Sequence, residues 1–139
     1  LFHVVAKYGR EVIDRVRVEE ANRLRDDRPA RRVVKTSRWL LLRNRENVPV
    51  DQAVKLDELL AANRALLTVY LLKDDLKRLW RYRSEAWARK FWKGWKRRAL
   101  RSGLEPLKTF VRRLEPYLPG LLAHCRRPLG TNLDEGINN

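Results

Sequence analysis

Apolar positions in the first third of the chain predict one helix between two short strands. Residues 1–5 form a short apolar run, which predicts the end of a buried strand. Apolar side chains then recur near helical spacing over residues 6–25, until the Asp-Asp-Arg-Pro sequence at 26–29 breaks the pattern. The apolar run at 39–42 lies between charged ends, and periodicity cannot distinguish a buried strand from a helix end there. We favour a strand, because a loop-like sequence follows at 44–49.

From residue 50 onward the pattern is helical throughout. Asp51 can cap a first helix, which ends near Asn63. The longest periodic segment covers residues 65–101 and stops at a Ser-Gly pair. Residues 104–118 then predict one more helix, and prolines and a glycine close it. The side chains predicted to face inward on that helix are Leu107, Phe110, Val111 and Leu114.

The segment at 65–101 contains four of the five tryptophans of the chain. Treated as one helix, it has an apolar stripe, which is more typical of a core face than of a platform for bases. The stripe comprises Val69, Leu72, Leu76, Trp80, Trp87, Phe91 and Trp95. Trp92 and Tyr82 lie off it, on cation-rich sides. An exposed aromatic ring among cations suits stacking on an unpaired base; for Trp92 the alternative is packing against a neighbouring helix.

Charge identifies the kind of partner that this segment suits. The chain has a net charge of +15, with 32 Lys and Arg against 17 Asp and Glu. Residues 73–101 contain twelve of the basic residues and three of the acidic ones. Such a charge density destabilises a helix by self-repulsion unless phosphate screens it, so we expect a polyanionic partner. No helix-turn-helix or zinc-finger pattern is present, which favours contact with a nucleic-acid backbone over sequence-specific readout.

Composition and spacing exclude several other classes of protein. A single cysteine, Cys125, excludes an internal disulfide and fits a reducing compartment. Together with His3 and His124 it supplies too few and too scattered ligands for a zinc site. No apolar run is long enough to span a bilayer, and neither a signal peptide nor a Gly-rich phosphate loop is visible. We expect a soluble, cytosolic protein. The sequence contains no methionine, so we also expect it to be a piece of a longer protein.

Near the end of the sequence, one side chain remains as a plausible catalytic group, Glu135. Thr131 or Asn132 can cap a helix that would hold Glu135 on its first turn. A carboxylate held there has the fixed orientation that a metal ligand needs, although an acid after an N-cap is also ordinary helix-start chemistry. A lone carboxylate cannot hold two divalent ions, so any such metal site needs acids outside this sequence.

Four groups of motifs are spread over the whole chain. They are Leu1-Phe2-His3-Val4; Trp39-Leu40-Leu41-Leu42-Arg43-Asn44 with Glu46-Asn47; Leu72-Lys73 before Leu79-Trp80; and Glu135-Gly136-Ile137-Asn138-Asn139. Together they resemble the DDE transposases of bacterial insertion sequences, of the ISL-three-type family. The motifs at the two ends carry the resemblance most strongly, because their separation matches that in the family.

The resemblance implies an RNase H-like fold in which three carboxylates bind two Mg²⁺ or Mn²⁺ ions. Glu135 matches the last of these carboxylates, and the second Asp would fall at or next to the position before Leu1. The fold class expected here is therefore mostly α, as part of an α/β RNase H-like catalytic core that carries an all-helical insertion. Residues 1–47 would be partial core, 48–119 the basic, Trp-rich insertion, and 120–139 the return to the core with the helix bearing Glu135.

The function implied is metal-dependent DNA cleavage and strand transfer in the bacterial cytoplasm, by a full-length protein that we expect to be a homo-oligomer. Its partners would be the transposon ends and the target DNA, without a membrane. The residues expected to contact the DNA backbone are Arg89, Lys93, Lys96 and Arg97, with Trp92 stacking on a displaced base. Because two of the three catalytic carboxylates lie outside this sequence, we expect the 139-residue chain alone to be inactive.

Two interpretations from other classes remain open from the residues alone. A non-enzymatic basic helical module, or a degenerate transposase remnant, would bind nucleic acid without chemistry. A helix on an anionic membrane surface would also combine cations with tryptophan. Salt dependence separates the membrane surface from nucleic acid, and removal of Glu135 separates an enzyme from a binding module.

Overall fold

The computed structural model describes residues 2–126. This range contains helices and helical turns, and it contains no strand. The helices are α1 (Phe2–Tyr8), α2 (Asp14–Arg23), α3 (Arg28–Lys35), α4 (Arg38–Leu42), α5 (Val50–Ala62), α6 (Arg64–Lys77), α7 (Glu85–Arg101), α8 (Glu105–Leu114) and α9 (Leu118–Leu122). A π-helical turn, Gly9–Ile13, joins α1 to α2, and 3₁₀ turns cover Arg45–Asn47, Arg78–Arg81, Glu115–Tyr117 and Ala123–Arg126. The prediction of a mostly α chain is confirmed.

The first helical rod begins at Phe2, so the strand predicted at residues 1–5 is wrong over the part that the structure describes. Tyr8 and Ile13, at the two junctions of the π turn, both have right-handed helical backbone angles, so the rod continues through it. Its buried side chains Val4, Tyr8, Val12 and Val16 recur every four residues, which is a helical and not a strand-like period. The predicted helix at 6–25 is confirmed as part of this longer rod.

The strand predicted at residues 39–42 is also wrong, because these residues form the single-turn helix α4. Leu40 and Leu41 are buried, and the carbonyl groups at the end of the turn receive hydrogen bonds from a side chain. The Lys73 Nζ donates to the carbonyl oxygen of Leu41 at 2.6 Å and to that of Arg43 at 3.0 Å. A short apolar run can thus end as a helix here, because a distant ammonium group satisfies its last carbonyls.

Close packing between the rod and α4 explains a glycine. A Cβ added to Gly9 would lie 2.9 Å from the Leu42 Cδ2, closer than non-bonded carbon atoms approach, so the end of the Leu42 side chain would have to shift. The absence of a side chain at Gly9 therefore lets Leu42 of α4 lie directly against the π turn.

The segment predicted as one helix at 65–101 is two helices, and this changes which side chains face inward. After α6 and the 3₁₀ turn, Tyr82 has an extended backbone with ψ of 139°, which ends the helical path. Ser84 then caps α7, and its side-chain oxygen accepts a hydrogen bond from the backbone N–H of Trp87 at 3.3 Å. The helical phase before residue 82 therefore does not carry over to α7.

Tyr8 lies at the centre of the core and connects four helices. Its hydroxyl donates to the carbonyl oxygen of Val69 on α6 at 2.6 Å. The Tyr8 ring meets Trp95 of α7 and Phe110 of α8 edge to face, with centroid separations of 6.3 Å and 5.2 Å. Complete burial raises the pKa of Tyr8 well above its ordinary value. The predicted inward side chains of α8, Leu107, Phe110, Val111 and Leu114, are all buried as expected.

The predicted division at residue 47 into core and insertion stays a prediction. Helices on both sides of that boundary share one hydrophobic core among the described residues, as the Tyr8–Val69 bond illustrates. Polar contacts cross it as well, since the Asn63 side-chain amide donates to Glu20 at 2.9 Å. The two predicted parts therefore pack together in this range.

We predict that Lys73 makes the stability of the fold depend on alkaline pH. Burial, followed by the nearby charge of Lys77, lowers the pKa of Lys73 to about 8 from the model-compound value of 10.5. Between these values the unfolded chain holds a proton that the native state has released, so stability rises with pH, by at most about 1.4 kcal/mol per unit. The clearest window is pH 8 to 10, because the raised pKa of Tyr8 acts in the opposite direction above it.

Urea unfolding at several pH values checks this, with Lys73→Met as the test variant and Lys55→Met, at an exposed position on α5, as the control. Lys73→Met should lose the rise between pH 8 and 10, whereas Lys55→Met should keep it. At pH 7, Lys73→Met should be about 1–3 kcal/mol less stable than the unsubstituted chain, because two carbonyl groups lose their donor. An unchanged pH dependence in Lys73→Met would show that another group causes the rise.

Candidate nucleic-acid interface

One side of α7 presents a row of exposed cations. Lys90, Lys93, Arg97 and Arg101 are exposed, and their spacing of three or four residues puts them on one side of the helix. At a rise of 1.5 Å per residue, the row extends for about 16 Å. We call these four residues the basic ridge. The opposite side of α7 is buried and consists of Ala88, Trp92, Trp95 and Ala99.

Cations on the flanks of α7 are paired with carboxylates. The Arg89 guanidinium lies 3.0 Å from Glu85, the Lys96 ammonium 2.7 Å from Glu115, and the Arg98 guanidinium 2.6 Å from Asp75. For the basic ridge, residues 2–126 place no carboxylate within ion-pair distance. Of the four residues predicted to contact DNA, the structure therefore leaves Lys93 and Arg97 available and engages Arg89 and Lys96 within the chain.

The predicted exposure of Trp92 is wrong. Only 2% of its surface is exposed, and its ring stacks on that of Trp95 at a centroid separation of 5.4 Å and an interplanar angle of 20°. The Trp92 Nε1 donates to the Glu115 carboxylate at 3.1 Å. Lys96 bonds to the same carboxylate, and both donors lower the pKa of Glu115. Trp92 is therefore packed inside the protein, in agreement with the alternative that the sequence leaves open for it.

Trp87 shows the opposite error, because the sequence pattern placed it inward and the structure leaves it 59% exposed. Its ring lies beside the basic ridge, with the Lys90 ammonium 5.2 Å from its centroid. This separation is in the range of a cation–π interaction. Tyr82, also predicted off the stripe, is partly buried and packs against Phe91 at 5.4 Å.

The sequence analysis missed Trp87, Lys90 and Arg101 as members of this surface. The signal that could have found them is the Ser84-Glu85 pair, an N-cap residue followed by an acid in the first turn. A helix started at Glu85, with Trp92 and Trp95 taken as inward, puts Lys90 and Arg101 on the outer side and Trp87 at its edge.

Glu135, the predicted metal ligand, lies outside the described residues, as do its predicted N-cap residues. Within residues 2–126, no group of three or more His, Cys, Asp or Glu side chains is arranged to hold a metal ion. The metal ligands that the family resemblance implies are thus not assembled within residues 2–126. In this range the candidate functional site is the basic ridge, as a nucleic-acid interface.

A search of the described helices for a membrane span found none with sufficient length and apolar character.

Comparison with known proteins identifies the class. The chain belongs to the DDE transposases of the ISL-three type, since the model of that family, described as transposase, matches residues 1–139. The chain is also 66% identical over 139 residues to the transposase for insertion sequence element IS1001 of Bordetella parapertussis. That alignment covers 100% of this chain and 34% of the relative, so the chain spans about a third of its length. No solved structure matches. The resemblance drawn from the motifs is confirmed.

We predict that replacement of Trp92, which is buried, and replacement of Trp87, which is exposed, differ sharply in their effect on stability. Trp92→Ala should lower the free energy of unfolding by about 3–5 kcal/mol, because it opens a cavity and removes the bond to Glu115. Trp87→Ala should change it by no more than about 0.5 kcal/mol, as for other exposed sites. Urea denaturation followed by far-UV circular dichroism measures both. Equal losses in the two variants would contradict the burial assigned to Trp92.

Proposed function

We propose that the full-length transposase cleaves DNA at the ends of an insertion sequence and joins them to target DNA, and that this chain supplies part of its DNA-binding surface. Membership of the transposase family carries the first half of the proposal. The basic ridge supports the second half, because its four exposed cations have no carboxylate partner among the described residues. Cations without a carboxylate partner can bind the phosphates of a nucleic-acid backbone, and this binding releases the counterions condensed on that backbone.

Lys93 and Arg97 are proposed as the main DNA contacts among the residues predicted from sequence. Arg89 and Lys96 contribute less, because phosphate must compete with carboxylates only 3.0 Å and 2.7 Å from their charged groups. Lys90 and Arg101 extend the row at its two ends. The contacts are to the backbone, so the surface binds DNA without reading its bases.

Trp87 replaces Trp92 as the aromatic side chain proposed to meet the DNA. It is exposed, it lies beside the ridge, and Lys90 is already positioned over its ring. A base freed from pairing could stack on the open part of the Trp87 ring, while Lys90 contacts the adjacent phosphate.

Glu135 is proposed as one carboxylate ligand of the two Mg²⁺ or Mn²⁺ ions that the family resemblance implies. The other two carboxylates would come from residues outside this sequence, so the 139-residue chain alone is proposed to be inactive. When bound, the ions would activate water and then a DNA 3′-hydroxyl for attack on phosphodiester bonds. We further propose that the full-length protein acts as a homo-oligomer in the bacterial cytoplasm, where its DNA is located.

We predict that the ridge dominates DNA binding by the chain. Lys93→Gln with Arg97→Gln should lower the slope of log affinity against log salt by about two, since each phosphate contact contributes about 0.9. Arg89→Gln with Lys96→Gln removes the same charge and is the matched control, with a smaller expected loss. Fluorescence anisotropy of a labelled DNA duplex in a salt series measures both. Equal losses would mean that net charge, and not the ridge, determines affinity.

A second prediction concerns catalysis by the full-length transposase. Glu135→Gln should abolish Mg²⁺-dependent cleavage of transposon-end DNA, because a neutral amide binds a divalent ion weakly, while DNA binding persists. Asp134→Asn, at the neighbouring acid, is the control and should keep its cleavage activity. Gel-based cleavage and mobility-shift assays separate the two readouts. Normal cleavage by Glu135→Gln would remove its catalytic role; a full-length protein that binds DNA without cleaving it would favour the non-enzymatic module.

A further inference from the structure

Gly94 lies in the interior of α7, at the edge of the basic ridge. Glycine in a helix interior is about 0.8–1 kcal/mol less favourable than alanine, because it loses more backbone entropy on folding. A glycine at such a position therefore calls for a compensating role, either in packing or in function.

Packing among the described residues does not require this glycine. A Cβ added to Gly94 has no atom of another residue within 4 Å, leaving out its immediate surroundings in the helix. Nor does backbone conformation require it, because Gly94 has no positive φ, in contrast to Gly103 with φ of +76°. Gly9 differs in this respect, since its added Cβ would lie 2.9 Å from the Leu42 Cδ2 and the Leu42 side chain would have to shift.

The surroundings of Gly94 indicate what could approach it. Lys90 lies one turn before it, and Arg97 and Arg98 lie one turn after it, so long cationic side chains border a bare stretch of backbone. Arg98 is engaged by Asp75 at 2.6 Å, whereas Lys90 and Arg97 belong to the ridge without carboxylate partners in residues 2–126. The space that a side chain at Gly94 would occupy is therefore open, and it lies between these two cationic positions on the helix; we call it the gap.

We infer that this gap is a phosphate seat, in which the bare backbone at Gly94 lets one phosphate of a nucleic-acid strand lie between Lys90 and Arg97. The inference rests on the proposed DNA-binding function and assigns a position to one contact within it. The N–H groups of a helix interior are already bonded to carbonyls, so Gly94 itself contributes space and van der Waals contact. The hydrogen bonds come from the Lys90 ammonium and the Arg97 guanidinium.

Phosphate suits this gap better than a carboxylate does. A phosphodiester offers oxygen atoms that can accept from cations on two sides at once, and its neighbours along the strand can occupy Lys93 and Arg101. A single carboxylate on a protein surface can also accept from two donors, as Glu115 does, but it lacks the regular succession of charges that a nucleic-acid strand has. The row of four cations matches a repeating polyanion.

Adding bulk at Gly94 without changing charge tests the inference in the 139-residue chain. Gly94→Ala should raise the midpoint of urea unfolding and weaken binding of a DNA duplex about threefold. Gly94→Leu should weaken it at least about tenfold, equivalent to about 1.4 kcal/mol, and should lower the salt slope by about one. Ala61→Leu, an exposed position on α5, adds bulk away from the ridge and should leave affinity unchanged. Anisotropy with a labelled duplex measures affinity, and circular dichroism confirms folding.

The outcomes separate this inference from the function on which it rests. Unchanged binding by Gly94→Leu, together with weakened binding by Lys93→Gln with Arg97→Gln, overturns the phosphate seat and leaves the DNA-binding surface intact. Unchanged binding by all these variants overturns both. Tighter binding of polyglutamate than of DNA, lost in Gly94→Leu, would show that the gap takes a carboxylate and would also overturn the inference.

Discussion

The aromatic cluster of Tyr8, Trp92, Trp95 and Phe110 determines the rotation of α7, and the exposed surface follows from that rotation. The Tyr8 hydroxyl and the Trp95 Nε1 donate to carbonyl oxygens of α6, those of Val69 and Leu72, at 2.6 Å and 2.9 Å. Both bonds are buried, where loss of a partner leaves a desolvated polar group. With Trp95 held in this way, the cations on the far side of α7 face solvent as one row.

Carboxylates from three parts of the chain set which cations remain available. Glu85 in the first turn of α7, Asp75 on α6 and Glu115 after α8 each bond to one flanking cation. These pairs are partly exposed, so each contributes little to stability. Their larger effect is on the pattern of charge, because they neutralise the flanks and leave the ridge as a concentrated strip. This strip is the surface that we propose binds DNA.

The same use of a distant polar group appears at Lys73, also on α6. The Lys73 ammonium is only 1% exposed and has two carbonyl oxygens and the Tyr70 ring as its surroundings, the latter at 4.8 Å. It holds the end of α4 against α6 by hydrogen bonds in place of a strand pairing. Burial of this charge costs stability and, with the nearby charge of Lys77, lowers the pKa of Lys73, although Asp74 and Glu46 act in the opposite direction. The Leu72-Lys73 motif that supported the family resemblance thus has a structural role in this fold.

By itself the sequence determined the helical class, most helix positions, the buried face of α8 and the family. These features depend on local periodicity, caps and motif spacing, which a sequence carries directly. Only the tertiary structure decided that residues 39–42 form a helical turn, because the donor to its last carbonyls, Lys73, is about thirty residues away. It also decided that Trp92 is buried and Trp87 exposed. A break of three residues before α7 resets the helical phase, and the partners that fix the new phase, Tyr8 and Phe110, lie on other helices.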